Sequence, residues 1–133
     1  MIFPDTNIWV YAFMSDQDMT KHLIAKEIVE RSDVIVSQQI VAELCNAILR
    51  KSKTSEHRIR EMITEFESIY HPLVLKTEHF LGASRLRERY NFSHWDSLLI
   101  VAALELGASI FYSEDMHDGL IIEGTLTIRN PFR

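Results

Sequence analysis

The chain has 133 residues, 47% hydrophobic and 25% charged, the composition of a soluble globule long enough to bury one proper core. Its net charge of −5 excludes a simple electrostatic coat for DNA, so a nucleic-acid partner must be gripped through local basic patches or through metals. The lone Cys45 cannot form an internal disulfide, no basic-then-apolar leader opens the chain, and the apolar run at 98–104 is too short to span a bilayer; a cytoplasmic protein is expected.

In chain order, Ile2-Phe3-Pro4 reads as a strand, and residues 7–13 and 19–32 as helices. DVIVS at 33–37 is a β-branched strand, followed by a helix over 38–52 whose stripe is Ile40, Val41, Leu44, Cys45, Ile48 and Leu49. A further helix spans 55–70, a strand 72–75 and a helix 77–90. Residues 94–106 form a helix apolar nearly all round, hence central. Strands at 109–113 and 125–128 close the chain. Alternating strands and helices predict an α/β fold, a three-layer α/β/α sandwich around a central, mainly parallel sheet, in one domain over 1–133. With four glycines and no GxGxxG or GxxxxGK[ST], a phosphate-cradling loop is absent.

Four acids stand where an apolar context should discourage them. Asp5 breaks an apolar start, MIFPDTNIWVYAF, either as a helix cap or as a ligand at a strand's carboxyl end. Glu43 falls just off the apolar stripe of its helix, beside Ile40 and Ala47. Asp96 opens the most apolar helix, where Ser93-His94-Trp95-Asp96 also fits a capping pattern. Asp115 follows SIFYS in an acidic turn. Singly, each has an ordinary explanation as a cap, a solvated edge or a turn residue. Jointly they converge, because parallel strands end, and the helices after them begin, on one edge of the sheet. Like charges gathered there call for a divalent cation, and oxygen ligands without a His or Cys cluster indicate Mg²⁺ or Mn²⁺ rather than zinc.

With these residues in place, the sequence resembles a PIN-domain ribonuclease of the VapC type, the toxins of bacterial toxin–antitoxin pairs. The resemblance is carried along the chain by DTNIWVYA at 5–12, SQQIVAELCNAILRK at 37–51, SHWDSLLIVAALELGA at 93–108 and FYSEDMHDG at 111–119, with IRNPFR at the end. It implies that Asp5, Glu43, Asp96 and Asp115 are the catalytic and metal-binding acids and that Ser113 supplies an accompanying hydroxyl. Thr6, Asn7 and Ser97 match supporting polar positions. Asp118 is a second acid in the same run, and either it or Asp115 could face the metal. The implied partners are an RNA substrate, a cognate antitoxin and further copies of the chain, in a homodimer or a larger assembly.

The implied activity is metal-dependent hydrolysis of RNA phosphodiester bonds, with no side-chain nucleophile. Asp96, at a helix N-terminus, is expected to be held ionised by the dipole. Two stretches could grip RNA: Arg50-Lys51-Ser52-Lys53 with His57, Arg58 and Arg60, and RLRERYNFSHW, which mixes Arg85, Arg87 and Arg89 with Tyr90, Phe92 and Trp95. At about 100° per residue only Arg85 and Arg89 share a face. A haloacid-dehalogenase-like phosphatase would need a second Asp where Asn7 stands, and a receiver domain a late lysine, whereas the sole Lys after position 53 is Lys76. A housekeeping PIN nuclease of RNA maturation and a non-catalytic PIN-like binding module are the nearer alternatives.

Overall fold

The computed structural model describes all of residues 1–133. Its elements are β1 (Ile2–Pro4), α1 (Thr6–Phe13), α2 (Met19–Val29), α3 (Gln38–Lys51), α4 (Glu56–Tyr70), α5 (Thr77–Arg89), α6 (His94–Glu105), β2 (Ile110–Tyr112), β3 (Ile121–Ile122) and β4 (Leu126–Arg129). The sheet runs β1-β2-β4-β3, parallel across the first three strands and antiparallel at the β4–β3 edge. The predicted α/β sandwich with a mainly parallel sheet is therefore observed.

The helix starts obey their caps. Asp18 accepts from the Lys21 amide, Ser55 from Arg58 and Ser93 from Asp96. The core is one cluster, with Phe3 stacked on Phe111 across β1 and β2 at 5.3 Å and Trp9 of α1 edge-on to Phe66 of α4 at 4.9 Å. Helix α6 is buried along most of its length, as its all-round apolarity requires. The main helix contacts are α1 with α2 and α3, and α5 with α6.

Three expectations need correction. The strands at 33–37 and 72–75 shrink to single parallel bridges, Ile2 with Val34 and Ser37 with Leu73. The first has no room to extend because Ser37 is already the residue that leads into α3, though its hydroxyl makes no capping bond. The second is squeezed between His71, left-handed at φ 47° where α4 ends, and Lys76, which begins α5. Helix α2 stops at Val29 rather than 32, because Arg31 chelates Asp33 (3.0 and 2.7 Å) in a turn that delivers the chain to the bridge at Val34. Strand β3 was not foreseen. It forms a hairpin with β4 whose Glu123 and Gly124 both take positive φ (52° and 70°), with the Thr125 amide bonded to the Ile122 carbonyl at 3.1 Å. Two adjacent positive φ values match the right-handed twist of the strands.

Candidate active site

The carboxyl ends of β1 and β2 lie side by side: Pro4 pairs with Tyr112, and the Asp5 amide bonds the Tyr112 carbonyl at 2.8 Å. Asp5 and Ser113 thus leave the sheet together. The buried Ser113 hydroxyl donates to Asp5 Oδ2 at 3.1 Å, and the Thr6 amide donates to Asp5 Oδ1 at 2.7 Å. Asp5 is at once the N-cap residue of α1 and a floor residue of a cleft of about 360 Å³. Asp5 therefore caps α1 and also stands where a ligand at the strand's carboxyl end would sit.

Glu43, Asp96 and Asp115 line the same cleft. Glu43 is held by the Thr6 hydroxyl on one oxygen and by Gln39 Nε2 on the other (2.9 Å), and the same Gln39 amide nitrogen reaches the Trp95 carbonyl at 3.0 Å. Helix α3 is thereby fastened to the first turn of α6, which carries Asp96. Asn7 donates to Asp115 Oδ2 at 2.8 Å. Four acids from four separate segments reach one crevice, and the cleft also takes in Arg50 and Lys51 from the end of α3. A larger groove of about 500 Å³ beside Phe13, Ile48, Ile59 and Met62 holds none of the four acids.

Burial sets the electrostatics. It pushes the Asp5 carboxyl up to about 7, a rise that the Asp96 and Glu43 charges add to and the Thr6 and Ser113 hydrogen bonds only partly offset. Asp96 is raised as well, first by burial and then by Glu43 and Asp115, against the lowering effect of Ser93. The expected dipole-favoured ionisation of Asp96 is therefore overridden. Burial, and after it the neighbouring like charges, outweigh a half-charge at a helix end.

The supporting residues divide. Thr6, Asn7 and Ser113 touch the acids directly. Ser97 does not; its buried hydroxyl donates to the His94 carbonyl (2.6 Å) and accepts from Arg87 (2.8 Å), pinning the first turn of α6 from behind. Asp118 faces away, its Oδ1 accepting from the Asn130 amide at 2.9 Å, so Asp115 is the residue of that pair in the cleft. Neither Arg85 nor Arg89 lines the cleft, and Arg89 is taken by Glu123 through two bonds of 2.9 and 2.6 Å. Gln39 was missed at the sequence level. Its only signal is its place one turn before Glu43, where an i,i+4 contact is possible.

The tightest group of metal-type ligands lies elsewhere. Glu78, His79 and Glu105 present atoms all within 4.8 Å of one another, whereas no three of the cleft carboxylates do. His79 Nδ1, however, accepts the Lys76 amide at 2.9 Å. That bond leaves the ring proton on Nε2, which points toward Glu105 at 3.6 Å, so the lone pair a metal needs is already in use.

A family model described as the PIN domain matches residues 2–117, nearly the whole length from β1 to the loop that holds Asp115. The chain belongs to the PIN domain family. No curated protein sequence matches it. Among solved structures, this PIN domain is similar to VapC20 of Mycobacterium tuberculosis, a sarcin-ricin loop cleaving toxin, with 16% identity, a TM-score of 0.67 and coverage of 84% of this chain and 87% of that one. It is also similar to VapBC2 from Rickettsia felis, solved on a DNA fragment from its promoter, with 17% identity, a TM-score of 0.65 and coverage of 98% and 100%. At these identities the likeness establishes the fold. No helix of this PIN domain is long and apolar enough to cross a membrane.

Proposed function

We propose that this PIN domain is a divalent-metal-dependent endoribonuclease and the toxin of a toxin–antitoxin pair. One observation carries the reading: Asp5, Glu43, Asp96 and Asp115, from four segments, meet in one cleft at the carboxyl edge of the sheet. The donor set is all oxygen and contains no imidazole or thiol, which fits Mg²⁺ or Mn²⁺. Family membership supports the nuclease reading, and the toxins among its structural neighbours support the biological role.

In this reading the four carboxylates hold the ion. When bound, it supplies Lewis-acid activation of water and offsets the charge that develops on the phosphodiester. The chain's own residues do the rest. Ser113 and the Thr6 amide orient Asp5, Thr6 and Gln39 orient Glu43, and Asn7 orients Asp115. Arg50 and Lys51, on the same cleft, meet the RNA backbone and give a net-acidic protein a local hold on a polyanion. The antitoxin would be a protein partner that covers the cleft and so inhibits cleavage.

The test is direct. Purified protein is incubated with total RNA in Mg²⁺, in Mn²⁺ and in excess chelator, and new RNA ends are mapped. Discrete cleavage with either ion and none with chelator is expected. Cleavage that survives chelation would remove the metal from the mechanism. Recovery of a small co-encoded protein bound to the chain, with cleavage suppressed in the complex, separates a toxin from a housekeeping nuclease.

A further inference from the structure

The acidic cleft continues past Asp96 and Asp115. Both residues also line a second groove of about 280 Å³, whose other walls are Asn91 and Phe92, ahead of α6, and Met116, His117 and Leu120, beyond β2. The chemistry changes at this boundary. The first cleft carries Arg50 and Lys51, whereas the second carries no Lys or Arg; beyond the Met116 thioether that both share, it offers an aromatic ring, an aliphatic chain, an imidazole and a carboxamide.

Its apolar parts are fixed and its polar parts are available. The half-buried Phe92 packs against Tyr90 with ring centres 5.6 Å apart, and its amide bonds the Tyr90 carbonyl at 3.0 Å. The Met116 amide is tied to Ser113 Oγ at 3.3 Å, the same hydroxyl that bonds Asp5. Asn91 and His117 are exposed.

We propose that this groove binds a single unstacked nucleobase of single-stranded RNA, on one side of the phosphodiester held at the acids. The proposal rests on the nuclease reading of that site. A phosphodiester at Asp96 and Asp115 sends its two neighbouring nucleotides toward different walls, one lined by Arg50 and Lys51, the other by this groove. A wall without cations does not hold phosphate, but ring and thioether surfaces accept the π-face of any base. Asn91 and His117 then meet donors and acceptors on the base edge, the means by which proteins read unpaired RNA. Continuity with the phosphodiester site favours a nucleotide over a peptide side chain.

The experiment uses a single-stranded oligoribonucleotide bearing one mapped cleavage position, in Mn²⁺, alongside two derivatives with an abasic ribose immediately on one side or the other. Loss of one base should lower kcat/KM about tenfold or more and loss of the other should have little effect, because only one side has a stacking groove. In the Asn91→Ala/His117→Ala variant, both changes at exposed positions, the intact substrate should slow while the sensitive abasic one is cleaved as by wild type. Phe92→Leu, which keeps an apolar side chain but removes the ring, should shrink the same difference. Equal tolerance of both abasic derivatives, or equal loss with both, overturns the subsite while leaving the nuclease intact. Failure of wild type to cut any RNA with either ion overturns the nuclease reading and the subsite with it.

Discussion

Two acidic clusters in this protein invite opposite conclusions. Glu78, His79 and Glu105 are the closer set, within 4.8 Å of one another, and include the imidazole that metal sites favour. Asp5, Glu43, Asp96 and Asp115 are more loosely spaced, yet burial and mutual repulsion push Asp5 and Asp96 away from ionisation. The difference lies in what each cluster leaves unsatisfied. At His79 the backbone of Lys76 consumes the Nδ1 lone pair, so the one buried polar atom left without a partner is Nε2, a proton donor rather than a ligand, and the two glutamates around it are exposed to solvent. In the cleft, hydrogen bonds from Ser113, Thr6, Gln39 and Asn7 aim the carboxylates but do not neutralise them. Like charges gathered around a buried carboxyl, rather than short distance, are what a cation relieves.

The largest test of that contrast is catalytic. Asp5→Asn or Asp96→Asn should lower Mn²⁺-dependent RNA cleavage by about a thousandfold, because on the proposed function each removes a ligand from the site that would stabilise the transition state. Glu78→Gln/Glu105→Gln should leave the rate within about twofold of wild type, since the pair touches neither substrate nor ion. Single-turnover rates on one substrate measure both. A rate loss in the Glu78/Glu105 variant as large as that in Asp5→Asn would reverse the assignment.

Binding energy gives the next largest effect. At a hundredfold excess of Mn²⁺ over its dissociation constant, the wild type should gain about 2.7 kcal/mol of stability. Asp5→Asn should lose most of that gain and the Glu78/Glu105 variant should keep it. Denaturant midpoints with and without the ion make the comparison. Stabilisation that survives Asp5→Asn but vanishes with Glu78→Gln/Glu105→Gln would move the metal to the closer cluster.

The pH dependence without metal follows from Asp5. Its folded-state pKa of about 7 lies above the ordinary 3.8, so the folded chain holds the proton more tightly than the unfolded one. Its contribution is therefore fully present below about pH 4 and is lost as pH rises through 7. Asp5→Asn should remove that loss, leaving the variant more stable than wild type at pH 8 by on the order of 4 kcal/mol and no more stable at pH 4. Asp96, raised for the same first cause, should add to the slope. Urea midpoints across that range in chelator would expose the opposite slope if the cleft were well hydrated.

Much of this site was legible in the sequence, and the illegible part has a common cause. Asp5 and Asp115 follow apolar runs that read as strands, and a parallel sheet brings such positions to one edge, so their convergence needed no coordinates. Glu43 was found by its angle on α3 and Asp96 by its apolar helix. What escaped depends on partners distant in sequence. Asp118 is removed from the cleft by the amide of Asn130, and Arg89 is paired with Glu123, 34 residues on. The strand expected at 72–75 is cut short by the left-handed His71, which local propensity does not announce. The β3–β4 hairpin was the avoidable miss: IIEGTLTI has a Gly-containing turn between apolar runs, but with Glu where Asn or Asp would signal it more strongly.

The smallest prediction concerns the silent cluster itself. Glu105→Gln removes the charge 3.6 Å from His79 Nε2, at a side chain that is 54% exposed. Solvent screening at that exposure limits the stability change to about 0.5 kcal/mol, in metal-free buffer as in Mn²⁺. The tautomer supplies a sharper reading. Because Nδ1 accepts the Lys76 amide, nitrogen NMR of the imidazole should find the neutral ring protonated at Nε2, and adding the diamagnetic ion Zn²⁺ should not broaden or shift that signal. Replacing Lys76 by proline would delete the amide donor and free Nδ1 to carry the proton, which opens Nε2 to a metal, with some backbone strain because φ is −114° there and proline holds it at roughly −65°. The contrast between the clusters predicts that only this variant gains a zinc-binding event at His79 in a calorimetric titration. A wild type that already binds zinc at His79 would show that closeness of ligands outweighs the tautomer, and the reading of both clusters would have to change.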